Sequence, residues 1–192
     1  MLKYQLECIF KLQQWNDLDP AIKSLLGFEG VDQWDSLADL LIVIHERTTH
    51  LEVASSAHAR ITELLQRCIN ETWKKNRDIS KMSRWLRLAF SIYLVDDKAG
   101  LALKIVQQAA DIAKRGYQNE KDVYPGDELQ WLACSAFNKA VDLLSAGHHA
   151  SVNAWIEAAL EVARYAADNG ALRAHLTYKR EVAEERMRAA IV

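Results

Sequence analysis

Proline and glycine are scarce, with 2 and 7 among 192 residues. So few breakers exclude a chain of many short strands joined by tight turns and favour long helices. An excess of positive charge is missing as well. The formal net charge is −2 and the sequence pI is about 6.3, whereas a nucleic-acid-binding domain normally carries a strongly basic face. The nearest basic cluster, Lys74-Lys75-Asn76-Arg77, falls where a helix is expected to end, and cations there complement the helix dipole. A targeting or phosphate-contacting role is the alternative for it. Cysteines number 3, and Cys8, Cys68 and Cys134 are far apart with no C-x-x-C pair. Each lies in an apolar helical stretch, so they read as buried free thiols of a reducing compartment. No membrane-length apolar run exists: the strongest, Leu37 to Ile44, is interrupted by Asp39. Met1 leads straight into an amphipathic pattern without a signal peptide. The expectation is a soluble intracellular protein.

What is present is nearly continuous helical periodicity. Leu2, Leu6, Ile9 and Phe10 share one side of a first helix; Asp19-Pro20 starts a second, which Leu26-Gly27 ends. Asp32 or Asp35 caps a third, running through Leu40, Leu41 and Ile44 towards Thr48. A long fourth helix begins near Ser55 and places Ile61, Leu64, Leu65, Cys68, Ile69 and Trp73 three or four residues apart. Asp78 or Ser80 caps a helix through Trp85 that stops near Asp96, and its partner runs from Ala99 to Lys114, closed by Arg115-Gly116. Pro125 and Asp127, with Gln130, predict a capping box for a helix ending at Gly147. Two more helices follow, Ala150 to Ala167 and Ala171 to Ala190.

The helices read as hairpins that resemble one another. Trp85-x-x-Leu88-Ala89-x-x-Ile92 followed by Ala102-x-x-x-Val106-x-x-Ala109 places a large residue and then a small one where two helices cross. Leu129-x-x-Leu132-Ala133-x-x-Ala136 followed by Val152-x-x-x-Ile156-x-x-Ala159 repeats the arrangement. This predicts an all-α fold of divergent tetratricopeptide (TPR)-like hairpins stacked in a right-handed superhelix. Residues 1–78 would hold the N-terminal hairpins, and 79–192 two TPR-like hairpins with a capping helix, in one continuous module. The helix after Asp127 has two apolar stripes, Leu129, Leu132, Ala136, Ala140 and Leu143 on one side and Trp131, Cys134 and Val141 on another, so it is expected to be sandwiched. The last helix has one narrow stripe (Leu172, Leu176, Ala183, Met187, Ile191) and a charged remainder, as a capping helix needs. The first helix has no such cap, which predicts the C-terminal piece of a longer protein or, alternatively, a homodimer through that helix.

Residues that could carry chemistry are few. His45-Glu46-Arg47-Thr48-Thr49-His50 mimics a zinc helix, but its histidines are five apart, about 140° round a helix, where chelation needs a spacing of four. A metalloenzyme using His45, Glu46 and His50 is therefore a distant alternative. His148-His149 sits at a turn, no Ser-His-Asp or Cys-His grouping can be argued since Cys134 has no histidine nearby in sequence, and no glycine-rich phosphate loop exists. No catalytic residue, metal or other cofactor is expected. Binding residues are a better prospect. Asn138 shares the Trp131 stripe and is expected to be buried between hairpins, satisfying a neighbouring backbone or clamping a peptide. Trp131 and Trp155 read as core, with Trp131 also a candidate anchor. Trp34, near a helix start, is the tryptophan expected to be exposed. Arg84 and Arg87 flank Trp85 on a first-of-pair helix and could meet an acidic partner.

The run Tyr124-Pro125-Gly126-Asp127-Glu128-Leu129-Gln130-Trp131-Leu132-Ala133, continuing through Ala136-Phe137-Asn138, Ala140-Val141-Asp142-Leu143, Trp155 and Gly170-Ala171-Leu172, resembles the C-terminal region of meiotic TPR scaffolds. These are the sporulation-specific, Zip-type synapsis proteins and their testis-expressed mammalian relatives. The chain departs from that pattern at Gly126, where an acidic or bulkier residue is usual. The resemblance implies a nuclear superhelix that organises partner proteins to promote crossover formation and chromosome synapsis. A generic TPR-like adaptor outside meiosis keeps the fold and drops that biology. In either case the partner is a protein helix or extended peptide, with no direct nucleic-acid or membrane contact.

Overall fold

The computed structural model describes residues 2–27, 34–48, 51, 55–75, 78–95, 97–119 and 123–190. Among them it is all-helical: α1 (Leu2–Leu12), a 3-10 turn (Trp15–Asp17), α2 (Leu18–Leu26), α3 (Trp34–Thr48), α4 (Ser55–Lys75), α5 (Ile79–Val95), α6 (Ala99–Asn119), α7 (Gly126–Ser145), α8 (His149–Ala163) and α9 (Ala171–Ala190). The chain divides into two compact units, Met1–Ile92 and Tyr93–Val192. The division lies inside α5, beyond the 78/79 boundary read from the sequence.

In the first unit the apolar residues recur at helical spacing and meet on α4. Leu18, Ala21, Ile22 and Leu25 bury one side of α2, and Trp34, Leu37, Ala38, Leu41 and Ile44 bury one side of α3. Both helices pack on α4, whose Ile61, Leu64, Leu65, Cys68 and Ile69 are wholly buried. Burying such side chains contributes about 1.5–3 kcal/mol each, which is what overcomes the entropy of ordering the helices.

Polar pairs then set which turn lies beside which. Arg60 Nε is 2.6 Å from Asp19 Oδ1, and Arg67 donates to the Leu26 carbonyl at the far end of α2. Both pairs are 41 residues apart, so α2 and α4 run parallel. Lys81 Nζ is 3.2 Å from Asp35 Oδ2 and Trp85 Nε1 donates to Asp39 Oδ1 at 3.0 Å, both at a separation of 46. Hence α3 and the start of α5 are parallel too. Two interleaved parallel pairs are what a chain of helices produces when consecutive members reverse direction.

In the second unit the cores of the helices meet through small residues. Ala133, Ala136 and Ala140 of α7 and Ala159 and Ala163 of α8 are at most 1% exposed, while Leu129, Leu132, Phe137, Trp155 and Ile156 fill the spaces beside them. Small residues at a crossing permit close approach. The α7–α8 turn is a Schellman motif: Gly147 has φ +79°, the His148 N–H donates to the Leu143 carbonyl at 2.9 Å, and the Gly147 N–H donates to Leu144 at 3.1 Å. Glycine is suited there because φ is positive. Packing against α8 come α6 and α9. Leu172 and Leu176 form the dry side of α9, and Lys179, Glu181 and Glu185 are exposed. Met187 and Ile191 of the expected stripe lie outside the described side chains.

Several helix ends differ from expectation. α6 continues through Gly116 to Asn119, and Gly116 is buried inside it rather than closing it. α8 stops at Ala163, and turns carry the chain to Asn169 and Gly170, both at positive φ. The capping box at α7 does not form: Pro125 takes the N-cap position without a side-chain bond, and Asp127 and Glu128 complement the dipole instead. Asp78 does cap α5, its Oδ1 accepting the Lys81 N–H at 3.1 Å. Of the thiols expected to be buried, Cys68 is, Cys134 is half-buried and Cys8 is exposed. Burial pushes the Cys68 thiol up to about 12, which leaves it protonated and unreactive.

Candidate partner-binding surface

The first side of α7 is consumed by α8 and α6. Its second stripe stays open. Trp131 and Cys134 are half-buried, Asn138 is exposed, and Val141 is 42% exposed. These residues recur at steps of three or four and share one face. The expectation that Asn138 is buried between hairpins, on a helix sandwiched on two sides, is therefore overturned. The apolar period marks the stripe, but the described residues leave it partly exposed. What remains is an accessible face with an indole at one end, an amide in the middle and a valine beyond it.

The other sequence candidates are not brought together. Arg84 and Arg87 are exposed on α5, three residues apart. The Arg84 Nε reaches the Ser80 carbonyl of its own helix at 3.4 Å, which leaves the guanidinium at the surface. Trp34 is 5% exposed, against the expectation that it would be the open tryptophan. Arg67 of α4 lies over its ring, 5.2 Å from the centroid, so a cation–π contact and α4 itself cover it. Trp34 is a packing residue. Trp155, 1% exposed, is core as expected.

Sequence reading missed a better-formed concavity. A cleft of about 410 Å³ is lined by Ala113, Gly116 and Tyr117 of α6, Val123 and Tyr124 before α7, Leu129 of α7, and Tyr165 after α8. The Tyr117 and Tyr165 rings are 6.0 Å apart at 59°. The Tyr165 hydroxyl donates to Glu161 Oε1 at 2.9 Å. Its pKa is raised, first by burial and then by the Glu161 carboxylate. Burial likewise raises Tyr124, with the Glu128 carboxylate adding to it. Tyr124 opens the motif on which the family resemblance rests, but the spacing within that motif says nothing of Tyr117 or Tyr165. Gly116 reads equally as a helix end, so its letter does not announce the cleft.

A second opening of about 430 Å³ lies in the first unit, between Phe10, Lys11, Gln13, Trp15, Arg47 and Leu51. On α1, Tyr4 and Leu12 are 67% and 65% exposed, with exposed Cys8 between them. His45 and Glu46 lie on α3, whereas His50 is outside the described residues. Among the described residues no three potential metal ligands cluster, and no helix is long and apolar enough to cross a membrane. No family model matches the chain, and comparison with curated proteins and with solved structures returned no match.

Proposed function

We propose that the chain is a non-catalytic protein-interaction scaffold that holds a partner's helix or extended peptide on the open face of α7. The observation that carries this reading is the incompletely covered stripe of Trp131, Cys134, Asn138 and Val141 on a helix whose opposite side buries Leu129, Leu132, Ala136 and Ala140. A rigid helix presenting an aromatic anchor, an amide able to pair with a peptide backbone, and an apolar residue suits helix or strand recognition. Arg84 and Arg87, exposed on α5 in the first unit, are a separate cationic candidate for an acidic partner. TPR-like hairpins in the first unit, the local part of the expected right-handed superhelix, are supported by the parallel register of alternate helices there. Its spacing of 41 and 46 residues is longer than the about 34 of a standard TPR.

By its resemblance over Tyr124 to Leu172, the scaffold would be nuclear and would promote crossover formation and synapsis. The test is affinity capture with the full chain from meiotic and vegetative cells, beside Trp131→Ala and Asn138→Arg variants. The reading expects crossover or synapsis proteins from meiotic cells only, lost with both variants. The same partners from both extracts would favour a generic adaptor, and capture unchanged by either variant would remove α7 as the binding face.

A further inference from the structure

The opening in the first unit owes its form to the way α1 ends. Gln13 takes φ +55°. Its N–H donates to the Phe10 carbonyl at 3.3 Å and the Gln14 N–H to the Ile9 carbonyl at 3.0 Å, a Schellman turn. This reversal brings Trp15 back onto Phe10, and the two rings meet edge to face with centroids 6.1 Å apart at 69°. They form one continuous wall, with no room between them. Arg47, in the last turn of α3, and Leu51, beyond its end, supply the other side.

The lining itself selects the occupant. Its polar groups are the Lys11 ammonium, the Arg47 guanidinium, the Trp15 indole and the Gln13 amide, and only the amide carries an acceptor oxygen. No lining residue is acidic. Lys11 and Arg47 are exposed, and among the described residues neither is in an ion pair. Nor is either consumed in capping its helix. Backbone N–H groups satisfy the Ile9, Phe10 and Thr48 carbonyls, and the Thr48 hydroxyl donates to the Ile44 carbonyl. Gln13 points the same way: the left-handed region favours glycine, yet this turn carries glutamine, whose amide joins the lining.

A cation would meet like charge here, and a purely apolar side chain would strip water from the donors without replacing it. An anion fits. Phosphate is the poorer match, because phosphate sites form at helix N-termini, whereas α1 and α3 present their negative C-terminal ends. Those ends oppose a dianion more than a single carboxylate. We propose that the opening between the ends of α1 and α3 binds an acidic peptide segment of a partner protein, a carboxylate pairing with Lys11 and Arg47 and a neighbouring apolar side chain resting on Phe10, Trp15 and Leu51. Its volume of about 430 Å³ is at the small end of ligand clefts, about 300–1,000 Å³, which suits a short segment. The site lies in the first unit and does not depend on the α7 face.

The test titrates the isotope-labelled full chain with acetyl-Glu-Leu-Glu-amide and with acetyl-Gln-Leu-Gln-amide, which keeps the shape and removes the charge. The acidic peptide is expected to shift the amide signals of Lys11, Gln13 and Arg47 and the indole signal of Trp15. The neutral peptide should bind about 5-fold more weakly. Lys11→Gln and Arg47→Gln alter exposed side chains, and each is expected to weaken the acidic peptide by about 2- to 5-fold without affecting the neutral one. Gln13→Gly relieves the left-handed turn, so the variant should melt no lower than the native chain while binding more weakly. Equal binding of the two peptides, shifts confined to other regions, indifference to both charge substitutions, or displacement of the acidic peptide by equimolar inorganic phosphate would each overturn the proposal.

Discussion

The two units solve the same problem, holding amphipathic helices in one register, by different means. In the first, charged and indole groups reach across helices: Asp19 to Arg60, the Leu26 carbonyl to Arg67, Asp35 to Lys81, and Asp39 to Trp85. In the second, alanines at the α7–α8 crossing set how closely the helices approach, and the cross-helix ion pair Arg180–Glu157 is at the surface, with Glu157 69% exposed. Polar pairs dictate which turn meets which, because a slip of one turn breaks them. Size matching dictates distance, and it tolerates no added volume. Register held by directional bonds is expected to fail gradually, one bond at a time. Register held by volume is expected to fail abruptly.

The largest effect should therefore come from enlarging the alanine crossing. Ala159→Leu puts a branched side chain where the native residue is 0% exposed, and overpacking of this kind costs about 1–3 kcal/mol. Urea unfolding should show that loss. Hydrogen exchange should place it in α7 and α8, with protection of α2 to α4 retained; equal loss in both units would erase the distinction drawn above.

A smaller effect is expected from the polar side. Asp39→Ala removes the acceptor of the buried Trp85 indole N–H, at about 1–2 kcal/mol, whereas Asp39→Asn keeps an acceptor oxygen and should recover most of it. Thermal melts of the two variants beside the native chain make the comparison, and equal destabilisation would show that the hydrogen bond is not what matters.

The smallest effect is at Asp35. The Lys81 hydrogen bond holds its carboxyl below the usual value of 3.8, and the same contact raises Lys81 above 10.5. The stabilisation from Asp35 is thus complete above pH 3.8 and disappears as pH falls through its lowered folded value. That from Lys81 is complete below pH 10.5 and disappears as pH rises through its raised folded value. The melting temperature of Asp35→Asn should trail the native one by a small, salt-sensitive margin across neutral pH and converge with it in acid. A margin that persists in acid would rule out the ion pair as its source.

The helical class was legible because apolar spacing is a local property. Ala171 to Ala190 was read to the residue, and Gly147 and Asn169-Gly170 marked turns because positive φ selects such residues. Gln13 also takes positive φ, which no residue preference announces, and so does Asp97, where aspartate's tolerance of the left-handed region is only a weak signal. Gly116 carried the same letter as a cap yet serves the interior of α6. Trp34 looked exposed because the residue that covers it, Arg67, arrives from another helix. Asn138 looked buried because a stripe on one helix does not reveal whether a second helix packs upon it. The cleft drew its walls from Tyr117 and Tyr165, 48 residues apart, a proximity that only the packing of α6 beside α8 creates.

The paired clamps of the first unit also bear on how such a chain can change over generations. Because Asp19–Arg60 and Leu26–Arg67 share one separation, a residue added anywhere between α2 and α4 lengthens both separations equally and disturbs neither. The same residue added between Arg60 and Arg67 turns the rest of α4 by about 100° and breaks one clamp while sparing the other. Descendants of this chain should vary in length where helices are joined and keep their count within them, so that insertions mark the helix boundaries as clearly as any glycine.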